Sequence, residues 1–106
     1  MLDYLAELLN NRKTYAAKIS LLKKHQDLFH DPDEFERFAQ IERDLAWLDS
    51  CIEQLDPQHR EIIEQLYIRG FSMGQLGKAM HISKSGIQTR KRMAMRKLRA
   101  IFDIKA

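Results

Sequence analysis

The stretch FSMGQLGKAMHISKSGIQTRKRMAMRKLR, residues 71–99, holds two signals for the start of a helix. Ser72 can accept a hydrogen bond from an unpaired backbone N–H, and Gln75, three residues later, can return one to the backbone of Ser72. Ser83 repeats the first part of this pattern. The stretch therefore predicts a short helix over 73–80, a turn of about three residues and a longer helix, which is the order of a helix-turn-helix unit. We expect the short helix to bury Leu76, Ala79 and Met80.

The longer helix of this unit is strongly basic. Residues 83–99 carry seven Lys or Arg and no acidic residue. A basic helix is often only a solvated surface, but this one follows two capping signals and lies in a basic part of the chain. Residues 57–106 carry a net charge of +8 and residues 1–56 one of −5, although the whole chain has only +3. This asymmetry predicts an anionic partner for the second half of the chain. The helix would bury the apolar residues that recur at helical spacing, Ile87, Ala94, Met95 and Leu98.

The composition predicts an all-α fold. The 106 residues include only four Gly and two Pro, few for a chain rich in β-turns. No segment alternates polar and apolar residues with a period of two, so no strand is predicted. A charged fraction of 31% and a hydrophobic fraction of 44% are typical of folded, soluble proteins.

Several classes of protein find no support in the sequence. No apolar run reaches the roughly 18 residues of a membrane helix. No signal peptide is recognisable, so a cytoplasmic location is expected. The single cysteine, Cys51, excludes an internal disulfide. The four His have no ligand-like spacing and no nucleophile motif occurs, so we expect no metal, no cofactor, no catalytic residue and no enzymatic activity.

The N-terminal half predicts two long helices. Apolar residues keep one stripe in phase across Asn10 and Asn11, so we predict a first helix over about residues 2–29. Asp31 can cap a second helix that starts at position 32 with proline, a residue that suits the first helical turn. The short connection favours an antiparallel, coiled-coil-like hairpin over residues 1–55, with a coiled coil between two chains as the alternative.

A second Asp-Pro step, Asp56-Pro57, opens the C-terminal part of the chain. It predicts a third helix from Pro57 to about Arg69, ended by Gly70, because glycine adopts a left-handed backbone without steric cost. Its buried face would consist of Ile62, Ile63, Leu66 and Tyr67. With the two helices of the opening stretch, it forms a predicted DNA-binding domain at 56–106. The hairpin at 1–55 would serve oligomerisation or partner binding.

Residues 55–99 resemble region four of bacterial sigma factors. The shared features are the Leu-x-Pro opening, the helix that ends in LYIRG, the turn unit FSMGQLGKAM-HIS and the closing MAMRKLR. The resemblance implies binding to promoter DNA and, as a further partner, RNA polymerase, in the cytoplasm of a bacterium or a phage-infected host cell. The helical hairpin followed by this unit is also similar to the ArpU and RinA late-gene activators of phages.

Three residues depart from the usual pattern of this family. His81 stands where glycine is usual, and its side chain tolerates a left-handed backbone less well than glycine does. Arg90 replaces an aliphatic core residue, so that either its methylene stem covers apolar surface or the helix packs differently. Gly86 replaces a longer side chain and could let the backbone approach DNA closely.

The start of the second helix in such a unit enters the major groove of DNA. There Gln can form two hydrogen bonds with adenine, and Lys can bind the acceptors of guanine. The residues expected to contact bases are Lys84, Ser85, Gln88 and Thr89, the first three by their positions in the family pattern. The residues expected to contact phosphates, which add affinity but little specificity, are Ser72, Gln75, Lys78, Lys91, Arg92, Arg96 and Arg99.

The expected function is that of a sequence-specific, DNA-binding transcriptional regulator, phage-type and an activator in preference to a repressor. The hairpin could join two copies into a homodimer on double-stranded DNA, bind another protein, or only brace the DNA-binding unit of a monomer. The polar seam residues Arg12 and Gln26 fit either of the first two roles. Two alternatives stay open: a DNA packaging protein of the small-terminase type, and a mimic of sigma region four that binds RNA polymerase without reading DNA.

Overall fold

The computed structural model describes residues 3–25 and 31–104. In these ranges all regular structure is helical, which confirms the predicted all-α fold. None of the helices within them is long and apolar enough to cross a membrane. In chain order they are α1 (Tyr4–Asn10), α2 (Arg12–Lys24), α3 (Pro32–Glu53), α4 (Pro57–Ile63) with a π-helix (Glu64–Ile68) directly after it, α5 (Met73–Met80) and α6 (Lys84–Phe102).

The chain divides into two compact units, Met1–Leu48 and Asp49–Ala106. The first contains α1, α2 and most of α3, and the second contains the end of α3 and all later helices. The separate roles expected for residues 1–55 and 56–106 stay predictions.

A break at Asn11 separates α1 from α2, so the prediction of one helix over about 2–29 is wrong. Asn11 has φ −110° and ψ 14°, and its side-chain Nδ2 donates a hydrogen bond to the backbone carbonyl of Glu7 at 2.9 Å. Asparagine is unfavourable inside helices, because its side chain can form hydrogen bonds with backbone groups in place of the regular helical ones. The part of that prediction beyond position 25, together with Gln26, lies outside the described residues.

The first unit has its own small core. Ile19 and Leu22 of α2 are buried together with Phe38 of α3, and the Tyr15 ring meets Phe38 edge-on at 6.4 Å between centroids. Around this core, ion pairs join Lys18 to Glu34 at 3.4 Å and Lys23 to Glu42 at 2.5 Å. The antiparallel, coiled-coil-like packing expected for the hairpin stays a prediction.

The two Asp-Pro steps start helices at the predicted positions 32 and 57, but only the first Asp caps its helix with a side-chain bond. Asp31 Oδ1 accepts a hydrogen bond from the backbone N–H of Asp33 at 3.0 Å. The Asp56 carboxylate instead accepts one from the ring Nδ1 of His59. This bond lowers the pKa of Asp56 below its ordinary value.

The core of the second unit lies between α4, α5 and α6. Ile62 and Ile63 of α4 are buried, as are Ile87 and Leu98 of α6. The predicted third helix continues beyond α4, but as a π-helix, in which the Arg69 N–H bonds to the carbonyl of Glu64, five residues back, at 2.9 Å.

The burial of the π-helix differs from the burial expected for this part of the chain. Leu66 and Tyr67, predicted to be buried, are half-buried. Gly70 follows with φ +79° and ends the helical segment, as the sequence predicts.

Candidate nucleic-acid interface

The start of α5 is fixed by a complete capping box. Ser72 Oγ accepts a hydrogen bond from the Gln75 N–H at 3.1 Å, and Gln75 Oε1 accepts one from the Ser72 N–H at 3.0 Å. The predicted cap is therefore confirmed. The Gln75 Nε2 group carries the N–H donors that this box does not use.

The buried face of α5 differs from the expected one. Leu76 and Gly77 are buried, Met80 is half-buried, and Ala79, predicted to be buried, is exposed. Ala79 lies about 200° around the helix from Gly77 at 3.6 residues per turn, so the two cannot share a face. A helix of eight residues allows more than one apolar stripe, and the packing against α6 selects the one through Gly77.

The turn between α5 and α6 is tight and left-handed. His81 has φ 57° and ψ 41°, the conformation expected at this position, and the Ile82 N–H bonds to the Gly77 carbonyl at 2.8 Å. A Cβ atom on Gly77 would lie only 2.6 Å from the Ile82 carbonyl oxygen. Gly77 therefore sets how closely the turn folds back on α5. A glycine inside an otherwise helical pattern is the signal that could have identified it.

Ser83 caps α6, as predicted, by accepting a hydrogen bond from the Gly86 N–H at 3.0 Å. A Cβ atom on Gly86 would lie 2.6 Å from Cγ2 of Ile82. The lack of a side chain at Gly86 thus makes room for Ile82 within the protein, which is a different reason from the close approach to DNA that the sequence suggested.

The first two turns of α6 expose all four residues expected to contact bases. Lys84, Ser85, Gln88 and Thr89 are each solvent-exposed, and Ile87 between them is fully buried. Thr89 Oγ1 donates a hydrogen bond to the carbonyl of Ser85 at 3.1 Å, so its hydroxyl is held against the helix. Because Ile87 anchors the inner side of α6, the exposed side chains of its first two turns can form one surface.

The residues expected to contact phosphates fall into two groups. Ser72, Gln75 and Lys78 on α5, and Arg92, Arg96 and Arg99 on α6, are exposed. Lys91 is half-buried instead, with its Nζ 5.4 Å from the centroid of the Tyr67 ring. The side chain of Arg90, which replaces the aliphatic residue of the family pattern, is exposed.

The exposed residues of α6 include six cations between Lys84 and Arg99 and no acidic residue. With 3.6 residues per turn, Ser85, Arg92 and Arg96 lie on the side of the helix opposite to Ile87. The first acidic residue after Ser83 is Asp103, beyond the end of the helix. At the front end, backbone N–H groups and the positive end of the helix dipole add to this field. Such a surface attracts a polyanion, and its polar front end can form directional hydrogen bonds.

The part of the chain that the structure describes contains no group of three or more His, Cys, Asp or Glu that could hold a metal ion. The likeness to the ArpU and RinA regulators stays a prediction.

Comparison with known proteins supports the geometry of the second unit. The family model described as Sigma-70, region 4 matches residues 51–100. No curated protein and no solved structure matches the chain. The matched residues cover the end of α3, the whole of α4, α5 and the turn, and α6 as far as Ala100. Residues 51–100 therefore form a helix-turn-helix unit similar to region 4 of sigma-70 factors, and this match indicates DNA binding.

Proposed function

We propose that the protein is a sequence-specific transcriptional regulator that reads double-stranded DNA with the front end of α6. The observation that carries this proposal is the exposure of Lys84, Ser85 and Gln88 on a helix whose start is capped by Ser83 and whose inner side is anchored by Ile87. Rigid presentation of polar side chains is what base recognition in the major groove requires.

Each group of the surface has a distinct part in this proposal. Gln88 would form a pair of hydrogen bonds with an adenine, and Lys84 would donate to the acceptors of a guanine. The capped start of α5 would place its N–H groups towards a phosphate. Arg92 and Arg96 would contact the backbone further along, which adds affinity without sequence information.

The finer role rests on the resemblance of the whole arrangement to phage late-gene activators. We assign an activator function on that ground, with RNA polymerase as a second partner of the same unit. The first unit would join two copies, so that two α6 helices meet half-sites about 34 Å apart on one face of the DNA. The site of action would be the cytoplasm of a bacterium or a phage-infected host cell.

Selection of bound sequences from random DNA, with the mass of the protein in solution measured alongside, tests this proposal. We expect a short recovered consensus and a monomer or dimer. A ring of many subunits would favour a packaging protein of the small-terminase type. Binding to RNA polymerase without salt-sensitive affinity for DNA would favour a sigma region-four mimic, and either result would contradict the regulator.

A further inference from the structure

Lys91 differs from the other cations of α6 in its burial, because it is half-buried and the others are exposed. It lies four residues after Ile87, three before Ala94 and four before Met95, all of which are buried. Since residues three and four apart share one face of a helix, this spacing places Lys91 beside the buried stripe; Arg90 has similar spacing but is exposed, so it is the burial of Lys91 that shows packing on the protein. Its neighbour Arg92 is turned by about 100° and is exposed.

The π-helix supplies the group that Lys91 meets. The Lys91 Nζ lies 5.4 Å from the centroid of the half-buried Tyr67 ring, within the range of a cation–π contact. Tyr67 belongs to the segment in which the Arg69 N–H bonds five residues back to Glu64. A π-turn accommodates an additional residue and so changes the direction of the side chains around it.

We infer that Lys91 is a positioning residue and not a phosphate contact, an inference that rests on the proposed DNA-binding function. The contact of its ammonium group with the Tyr67 ring couples α6 to the π-helix. This contact lies near the middle of α6, beyond the residues proposed to contact bases. Loss of this contact loosens the packing of α6 on the π-helix and lowers the fraction of molecules in which Lys84 and Gln88 face the groove together. The phosphate contacts on the outer side stay in place.

The dependence of DNA affinity on salt separates the two roles, because each phosphate contact releases counterions. The matched pair is Lys91→Gln and Arg92→Gln, the same substitution at adjacent positions. We expect Arg92→Gln to reduce the slope of log K against log salt by about 0.9. We expect Lys91→Gln to leave the slope unchanged and to weaken binding about two- to fivefold, as loss of a cation–π contact of about 0.5–1 kcal/mol would do. Lys91→Arg should restore the affinity.

A double-substitution cycle with Tyr67→Leu, measured on the unfolding of the full chain, supplies a readout that needs no DNA. The effects of Tyr67→Leu and Lys91→Gln on the free energy of unfolding should be less than additive, and Tyr67→Phe should retain most of the coupling. Additive effects, or a slope for Lys91→Gln as low as that for Arg92→Gln, would overturn the inference. Failure of the unsubstituted protein to bind any DNA would instead contradict the proposed function, while the cycle still decides whether Tyr67 and Lys91 are coupled.

Discussion

Gly77 shows at the residue scale how one missing side chain sets the geometry of the recognition unit. The carbonyl of Ile82 approaches the position of its absent Cβ to 2.6 Å, and the Ile82 N–H closes the turn onto the Gly77 carbonyl. Any side chain at this position must push the turn away from α5. The angle between α5 and α6 therefore depends on the absence of a side chain at Gly77.

Gly77→Ala should accordingly destabilise the protein by about 1–3 kcal/mol, the usual cost of forcing an additional methyl group into a packed site. Gly74→Ala is the matched control in the same helix, because its Cβ would have ordinary contacts only, the nearest at 3.9 Å from Ser72 Oγ. That change should be neutral or stabilise by up to about 1 kcal/mol, since alanine is the better helix former. Denaturant unfolding of both variants checks this, and equal effects would contradict it.

The surface proposed to contact bases leads to a second prediction at the residue scale. Lys84→Ala or Gln88→Ala should cost about 1–3 kcal/mol on the preferred DNA site and relax the choice of base at one position. Arg96→Ala should weaken binding to all sequences alike, because Arg96 lies on the exposed side further along the helix. Binding to the selected site and to single-base variants of it provides the measurement. If both the Lys84 and the Gln88 variant kept the original site preference, the assignment of these residues to base contacts in the major groove would be wrong.

At the scale of the elements, the caps define where the two helices of the recognition unit begin. Ser72 and Gln75 close a reciprocal box, whereas Ser83 makes a single cap bond to the Gly86 N–H. Both helix starts lie at the surface expected to meet DNA. Some of their backbone N–H groups donate hydrogen bonds within the protein, and the others could donate to a phosphate.

Ser72→Ala and Ser83→Ala should each reduce the free energy of unfolding by about 0.5–2 kcal/mol, the typical cost of losing an N-cap. Ser50→Ala provides the control, since Ser50 is an exposed residue inside α3 and alanine there favours the helix. Thermal unfolding followed by circular dichroism at 222 nm, the wavelength that reports helix, distinguishes them. A Ser72 or Ser83 variant as stable as the Ser50 variant would contradict the capping role.

On the scale of the whole molecule, charge is distributed unevenly along the chain. The net charge of +3 conceals a basic second part, whose exposed cations include Lys78, Arg92 and Arg96. A protein with this distribution should bind DNA through a defined surface instead of through non-specific attraction to the whole chain.

DNA affinity should therefore fall steeply with salt, with a slope of about −3.6 per protomer if the four exposed cations Lys78, Arg92, Arg96 and Arg99 each contact a phosphate. Lys13→Gln, which removes an exposed cation of the first unit, should leave the slope unchanged. Titrations at four or more salt concentrations give the slope. A nearly flat dependence would favour the mimic that binds polymerase without reading DNA.

Much of the second unit followed from local sequence because its signals act over a few residues. The starts of α5 and α6, the left-handed turn at His81 and the left-handed Gly70 each depend on a cap or a backbone preference that neighbouring residues decide. Two local signals conflicted in the first unit, where the apolar stripe predicted a continuous helix and Asn11 ended it. At this break the Asn11 side chain bonds to the backbone carbonyl of Glu7.

The amino-acid sequence alone determined the class of fold, the helix boundaries of the recognition unit and the cationic character of its last helix, because capping, periodicity and charge are properties of neighbouring residues. Only the tertiary structure decided that Ala79 is exposed, that the third helix becomes a π-helix and that Lys91 lies on Tyr67. These features depend on which faces meet when α4, α5 and α6 pack together. A helical pattern permits several such faces, and close packing selects one of them.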